Sequence, residues 1–391
     1  MSVWSTADGN AFRNYQQLSD IIIQPAASVH WMTGTQARSF QISYSALFSR
    51  FQEYPARQYL SHTAGISGSR ALSESWRLFY GMTGGLRSNR TEYQYNNYSQ
   101  YAVFLNIRRF QAGGGLWLLG GRFHGMDYEY LPVYSFLETE GFLQRSRFFK
   151  TKTTMIARVH IFHKTYPETV TSIEEAREAI ENTVGPGRGE GRGRDGQGNS
   201  SGGKGNGNGG KHGSGGGTDA PVFTQIQGRN ITQWQADLRL AQSIGTRTGL
   251  ALQGTVRRRF QGSSRTLTYQ DGGYEENDPL FDDPYSYEFD EVLVEWTREL
   301  PWRIQMKTGG AVTVKRYQTP AFDLEGNPAG DALRKDERSR LWVEVKKTMG
   351  GGKAIQNMDV MIYYLFLNNH SNDLYFEYSG HVFSLGFSAS I

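Results

Sequence analysis

The chain has 391 residues, 38% hydrophobic and 13% aromatic, with 47 glycines, no cysteine and a formal charge of +4. The lack of cysteine excludes disulfides, zinc-thiolate sites and thiol chemistry, and so small a charge gives no argument for nucleic acid as a partner. Mean hydropathy is −0.56, and no run approaches the roughly 18 apolar residues of a transmembrane helix, but transmembrane strands hide their apolar residues at every second position and escape that test.

In chain order, Met1-Ser2-Val3-Trp4 lacks the basic start and apolar core of a signal peptide. If the protein is exported, its signal, and any N-terminal domain, is expected outside this chain; a cysteine-free sequence fits an oxidising periplasm. Alternating segments predict strands near 18–31, 37–48, 57–67, 73–85, 97–109, 114–125, 134–144 and 151–165. The second half adds 229–243, 246–260, 286–299, 302–317, 338–349, 354–367 and 379–391. Short connections, as at 32–36, 68–72 and 244–245, alternate with long ones, as at 86–96, 166–228, 261–285 and 318–337. The strand at 18–31 and the last strand both run from the long-loop side to the short-turn side, so an ascending strand must precede 18–31, and Ser2 to Phe12 is the candidate. The count is about sixteen, or fourteen if two weak segments such as 57–67 and its neighbour are not strands; either is even, as bacterial barrels require.

Each strand shows two faces. In 302–315, Trp302, Ile304, Met306, Val312 and Val314 oppose Arg303, Gln305, Lys307, Thr313 and Lys315. In 151–164, Met155, Ala157, Val159 and Ile161 oppose Arg158, His160 and Lys164, and in 338–346, Leu341, Val343 and Val345 oppose Arg340, Glu344 and Lys346. At the end of the chain, Phe383, Leu385, Phe387, Ala389 and Ile391 oppose Val382, Ser384, Gly386, Ser388 and Ser390. A soluble sandwich would alternate in the same way around an internal core. Strand length separates the two: these segments often reach ten or more residues, against about five or six in globular sheets and about 9–11 for a strand crossing a bilayer. Aromatics near strand ends (Trp31, Phe48, Trp76, Tyr128, Tyr130, Tyr134, Tyr285, Tyr287, Trp302, Tyr375 and Tyr378) are expected to form interface girdles. The expected fold is all-β: one closed antiparallel transmembrane β-barrel over 1–391, with short periplasmic turns and long extracellular loops.

Asn372-Asp373-Leu374-Tyr375-Phe376-Glu377-Tyr378, followed by His381-Val382-Phe383-Ser384-Leu385-Gly386-Phe387, resembles the terminal loop and strand of many Gram-negative outer-membrane β-barrels. These often end with Ser-Asn, a Tyr-rich loop and a strand of the type Val-x-Leu-Gly-Leu. Gly9-Asn10-Ala11-Phe12-Arg13-Asn14, leading to Leu18-Ser19-Asp20, is similar to their first hairpin loop. The last residue is Ile391, where such barrels usually carry Phe or Trp for the barrel-assembly machinery. The resemblance implies a porin-like barrel, or the barrel part of a helical-repeat translocator of the kind that helps move lipoproteins to the surface. It implies as partners outer-membrane lipid and lipopolysaccharide, the assembly machinery, and a periplasmic or surface protein.

Within the long loop 166–228, Thr171-Ser172-Ile173-Glu174 reads as a capping box opening a short helix to about 184, with Ile173, Ala176, Ile180 and Val184 on one face. A disordered glycine-rich segment follows at 185–217; its arginines lack the interleaved aromatics of an RNA binder. The helix as a constriction inside the pore is the sharper alternative. Acidic residues from Asp271 to Glu291 could hold calcium, though their spacing fits no loop motif, so solvated charge is the plainer reading. Gly350-Gly351-Gly352-Lys353 lacks the Ser or Thr of a phosphate loop and reads as a turn. His370 and Ser371 are the candidate base and nucleophile of a lipid hydrolase, but adjacent strand residues point apart, so no catalysis is predicted. No cofactor or metal site is predicted either.

The interior remains. If the apolar faces meet lipid, the lumen receives Arg77, Arg108, Arg122, Arg158, Arg239, Arg257, Arg303, Lys307, Lys315, Arg340 and Lys346, with Glu138, Glu140, Asp237, Glu291, Glu295, Glu344 and Asp359. Cross-strand salt bridges that brace the barrel and a water-filled channel with a modest anion preference are compatible readings of that set.

Overall fold

A computed structural model describes residues 1–11, 17–167, 230–262, 283–323, 328–350 and 357–390. Sixteen strands run in order: β1 (Ser2–Asp8), β2 (Asp20–Gly34), β3 (Arg38–Phe51), β4 (Tyr59–Ala71), β5 (Trp76–Asn89), β6 (Tyr98–Gln111), β7 (Gly115–Tyr128) and β8 (Phe136–Phe148). Then come β9 (Thr153–Thr165), β10 (Asn230–Ile244), β11 (Thr248–Gln261), β12 (Tyr287–Leu300), β13 (Ile304–Phe322), β14 (Pro328–Gly350), β15 (Asn357–Ser371) and β16 (Tyr378–Ser390). Every neighbour is antiparallel and consecutive, and β1 pairs with β16, so the sheet closes into a barrel.

Closure rests on the shortest strand. All seven residues of β1 pair with β2 on one side and β16 on the other, from Ser2↔Ser388 to Asp8↔Val382. The Met1 ammonium donates to the Ala389 carbonyl at 2.9 Å, and the Gly9 amide donates to His381 at 2.8 Å, extending the seam at both ends. Inside the barrel, Thr6 Oγ1 and Ser384 Oγ share a hydrogen bond of 2.9 Å. Trp4 lies over Gly386: a Cβ there would fall 2.6 Å from the indole. Trp342 covers Gly309 on β13 in the same way.

The outward face is apolar and uncovered. Val29 is 68% exposed, Ile161 59%, Val292 57% and Leu341 56%, which a sandwich core would not allow. No helix among the described residues is long and apolar enough to cross a membrane, which says nothing of strands, since a closed sheet satisfies every backbone group internally.

The structure differs from expectation in three places. The predicted loop at 318–337 is mostly strand: β13 runs to Phe322 and β14 starts at Pro328, with register shifts past Arg316. The alternation is masked there because inward Arg334 and Asp336 and outward Lys335 and Glu337 are all charged. The aromatics assigned to an interface girdle split. Trp31, Phe48, Trp76 and Trp302 are exposed, whereas Tyr128, Tyr134, Tyr285, Tyr287 and Tyr378 are buried at the long-loop end. Finally, Trp302 and Arg303 are not strand residues; they occupy a turn at φ 61° and 58°. The predicted helix at 171–184, the glycine-rich segment, Phe12, Gly351 to Lys353 and Ile391 lie outside the described residues.

Replacing Gly386 by Val should strain the Trp4 contact at the seam by about 1–3 kcal/mol, the usual cost of overpacking. Urea unfolding from lipid vesicles, followed by tryptophan fluorescence, should show a lower midpoint for Gly386→Val. The Gly254→Ala variant, whose added Cβ meets nothing within 4 Å, should unfold as the parent does.

Candidate functional site

Inward positions divide the lumen into two walls. From β16 through β1 to β5 they are mostly small or hydroxyl-bearing: Ser384, Gly386 and Ser388, then Thr6, Ser28, Ser43, Ser45, Thr63 and Ser67. Short side chains keep the middle of this wall thin, and its charges, Asp8, Asp20, Arg77 and Arg87, lie towards the strand ends.

From β8 to β15 the inward face is an ionic network. Glu140 and Asp237 flank the His160 ring, at 2.6 Å from Nδ1 and 3.6 Å from Nε2, and Phe162 stacks on it at 5.3 Å. Arg239 pairs with Glu295 at 2.9 Å, and Thr255 Oγ1 donates to Asp237 at 2.9 Å. Glu291 takes Arg340 at 2.5 Å and the Thr313 hydroxyl at 2.8 Å. Towards the short turns, Lys307 faces Glu344 at 3.6 Å and Lys346 meets Asp359 at 3.0 Å. A groove of about 160 Å³ opens there between Lys152, Arg239, Gln242 and Glu295. Cross-strand pairing at this spacing is how a sheet face stabilises itself.

Some cations remain without a carboxylate partner among the described residues. Arg158 donates through Nε to Gln144 Oε1 at 2.7 Å. Arg257 donates to Gln235 at 3.1 Å and to the Pro284 carbonyl at 3.2 Å while lying against Phe162 and Phe289. Arg108 lies 4.3 Å above the Phe79 ring, and Arg122 is exposed to the lumen. Arg77, at the short-turn end, donates to the Gln36 carbonyl at 2.7 Å.

Of the residues expected to line the pore, Arg158, Arg239, Arg257, Lys307, Lys315, Arg340, Glu344, Lys346 and Asp359 occupy inward positions. Arg303 is the correction: its left-handed turn conformation takes it out of the wall and leaves it exposed at the short-turn rim.

The long-loop end holds a collar that the sequence reading missed. Lys164 is buried, 2.8 Å from Asp283 and 3.8 Å from the Phe136 ring centroid, with Tyr285 and Tyr166 around it. Lys315 stands 4.3 Å over Tyr287. Arg334 is sandwiched between Tyr317 and Phe376, at 3.9 and 3.3 Å, and is paired with the fully buried Asp336 at 2.5 Å. Rings flanking a desolvated cation replace part of its lost hydration. A signal existed: β4, β6, β8, β12 and β16, all descending from long loops, begin with Tyr59, Tyr98, Phe136, Tyr287 and Tyr378.

Ser371 belongs to this collar. It is buried and donates to Asp336 at 2.7 Å, while His370 points outward to Glu377 at 3.1 Å. The two lie on opposite faces of β15, so no nucleophile–base pair forms. The described carboxylates of the acidic stretch are also engaged, Asp283 by Lys164, Asp290 by Arg258 and Arg316, and Glu291 by Arg340. The carboxylates between 271 and 282 lie outside the described residues.

Beyond the strands, burial raises the pKa of the Tyr285 phenol and of the Asp373 carboxyl. For Asp373, burial outweighs the nearby Arg334 and the amides of Phe322 and Tyr375. A carboxyl whose pKa is raised on folding holds its proton more tightly in the folded state, so stability falls as pH rises through the window between the ordinary and the raised value. The contact of loop 372–377 with β13–β14 should therefore resist proteolysis better at the acidic end of that window. Asp373→Asn should flatten this dependence, and an unchanged pH profile in that variant would refute the assignment.

No family model matches the chain, and no curated protein matches it by sequence. Among solved structures, the chain is similar to OccK1 (OpdK) of Pseudomonas aeruginosa at 9% identity, covering 99% of this chain and 96% of that one, with a TM-score of 0.48. It is likewise similar to the outer membrane protein OprD of Pseudomonas aeruginosa, at 8% identity, 99% and 91% coverage and a TM-score of 0.47. A third similar structure is OccAB1 of Acinetobacter baumannii, at 8% identity, 100% and 95% coverage and a TM-score of 0.48.

Proposed function

We propose that the protein is a non-enzymatic outer-membrane channel giving small polar solutes passage, with a modest preference for anions. The observation that carries this reading is the division of the strand faces. A closed wall that is apolar outside and polar inside along its length has lipid as its outer solvent and water as its inner one. Bacterial barrels place short turns in the periplasm and long loops outside, which orients the collar towards the cell exterior. Because most lumenal charges are paired, the net field is small. Arg108, Arg122, Arg158 and Arg257, which make no salt bridge with a carboxylate among the described residues, supply the bias towards anions.

In planar bilayers the protein should give steady ohmic steps, and a complete absence of conductance would sink the proposal. Under a potassium chloride gradient the reversal potential should indicate chloride preference. Replacing Arg158 and Arg257 by Gln should reduce the chloride-to-potassium permeability ratio by about twofold, the scale on which charged rings tune selectivity. An unchanged ratio would remove the selectivity claim while leaving the channel.

A further inference from the structure

The outward face is not uniform around the barrel. On β2, β3, β4 and β8 exposed apolar side chains continue into the last rungs before the long loops, at Ile21, Phe48, Leu60 and Leu137. On β11–β14 the apolar belt stops earlier. Val292 pairs with Val312, both more than half exposed; in the next outward rung Asp290 and Glu337 alternate with Val256 and Val314. The rung beyond holds Arg258, Arg316 and Lys335 on three of four adjacent strands, with Glu288 between the two arginines. Asp290 fixes both guanidiniums, at 2.5 Å from Arg258 and 2.7 Å from Arg316, and Glu337 takes Lys335 at 2.6 Å. The three cationic side chains stay 32%, 48% and 50% exposed.

We propose that this row binds the phosphate of an anionic lipid headgroup. The proposal rests on the reading of the outer apolar face as lipid-facing. Its occupant follows from two adjacent chemistries. Val292 and Val312, with Val256 and Val314 in the next rung, offer an acyl chain a surface, and the rung beyond offers three oriented cations for charge-assisted hydrogen bonds to phosphate oxygens. A free phosphate would leave the apolar rung unused, and a soluble protein cannot reach it through the bilayer. Asp290 and Glu337 lie on the membrane side of the bases and hold the donors in place, and in the outermost rung the three cations outnumber Glu288. Arg258 also gives Nη1 to the Arg257 and Phe289 carbonyls, so the donors that remain beyond Asp290 lie mostly on Arg316, whose guanidinium carries five.

Native mass spectrometry of the full chain in detergent, with diphosphorylated lipid A as probe, tests the assignment. The parent protein should retain about tenfold more of this lipid than of the same lipid stripped of phosphate, as charge-assisted recognition requires. Replacing Arg258, Arg316 and Lys335 together by Gln should abolish that difference. Lys335→Gln alone, at an exposed pair that leaves the wall intact, should lower retention about threefold. A charge-matched control, with Lys150, Arg247 and Arg303 of the short turns changed to Gln, should bind as the parent does. Equal retention by the triple variant, an equal loss in the control, or indifference to the phosphates would overturn the proposal. So would a parent dimer that the triple variant dissolves without any phosphate dependence, which would assign the row to a second copy. Insertion into vesicles is measured in parallel: a chain that does not insert would overturn the membrane reading itself, whereas one that inserts and conducts but ignores phosphate would overturn only the lipid site.

Discussion

Everything in this protein depends on the hydrogen-bond ladder having no edge. In hydrocarbon an unpaired backbone amide or carbonyl costs several kcal/mol, so a sixteen-strand sheet can stand in a bilayer only if its first and last strands meet. Here β1 does this with seven residues, shared between β2 and β16. The terminal ammonium and the Gly9 amide lengthen the seam beyond the strand itself. The indole of Trp4 is seated where Gly386 leaves room, so the closing pair is fixed by shape as well as by hydrogen bonds.

Once closed, the sheet separates two solvents, and each strand's alternation is its answer to both. The outer rows need only be apolar. The inner rows carry two solutions to lining a water-filled space: small hydroxyl-bearing residues on β16–β5, and ion pairs bound by neighbouring amides and hydroxyls on β8–β15. Pairing keeps the lumenal charge local, and in the proposed channel the sign of the field falls to a few arginines whose partners are amides, carbonyls or rings. At the long-loop end the same inward positions change character. Buried tyrosines and phenylalanines clasp Lys164, Lys315 and Arg334, which makes that rim a packed collar.

How far this was legible in the sequence follows from contrast between the two faces. Where one face is apolar and the other charged, as at Val292 against Glu291 or Val159 against Arg158, period-two reading gives the strand, its facing and the sixteen-fold count. Where both faces are charged, as at Arg334, Lys335, Asp336 and Glu337, the period vanishes and a long hairpin reads as a loop. The tyrosines were misplaced because an aromatic at a strand end suits either the lipid interface or the lumen, and only its parity along the strand decides. Arg303 failed for a different reason: its position in the alternation is correct, but the tight turn at Trp302 and Arg303 breaks the strand before the pattern does. The pairing of Ser371 with Asp336 joins strands 35 residues apart and has no local signal.

The central claim is that neighbouring residues of a strand face different solvents, and the natural absence of cysteine makes it directly measurable. Single cysteines placed in turn at Val292, Leu293, Val294 and Glu295 of β12, in protein folded into vesicles, can be probed with a membrane-impermeant thiol reagent and with brominated lipids that quench an attached fluorophore. The account predicts that 293 and 295 react with the aqueous reagent and are not quenched, while 292 and 294 are quenched and react slowly. Equal labelling of all four positions, or the opposite alternation, would contradict it.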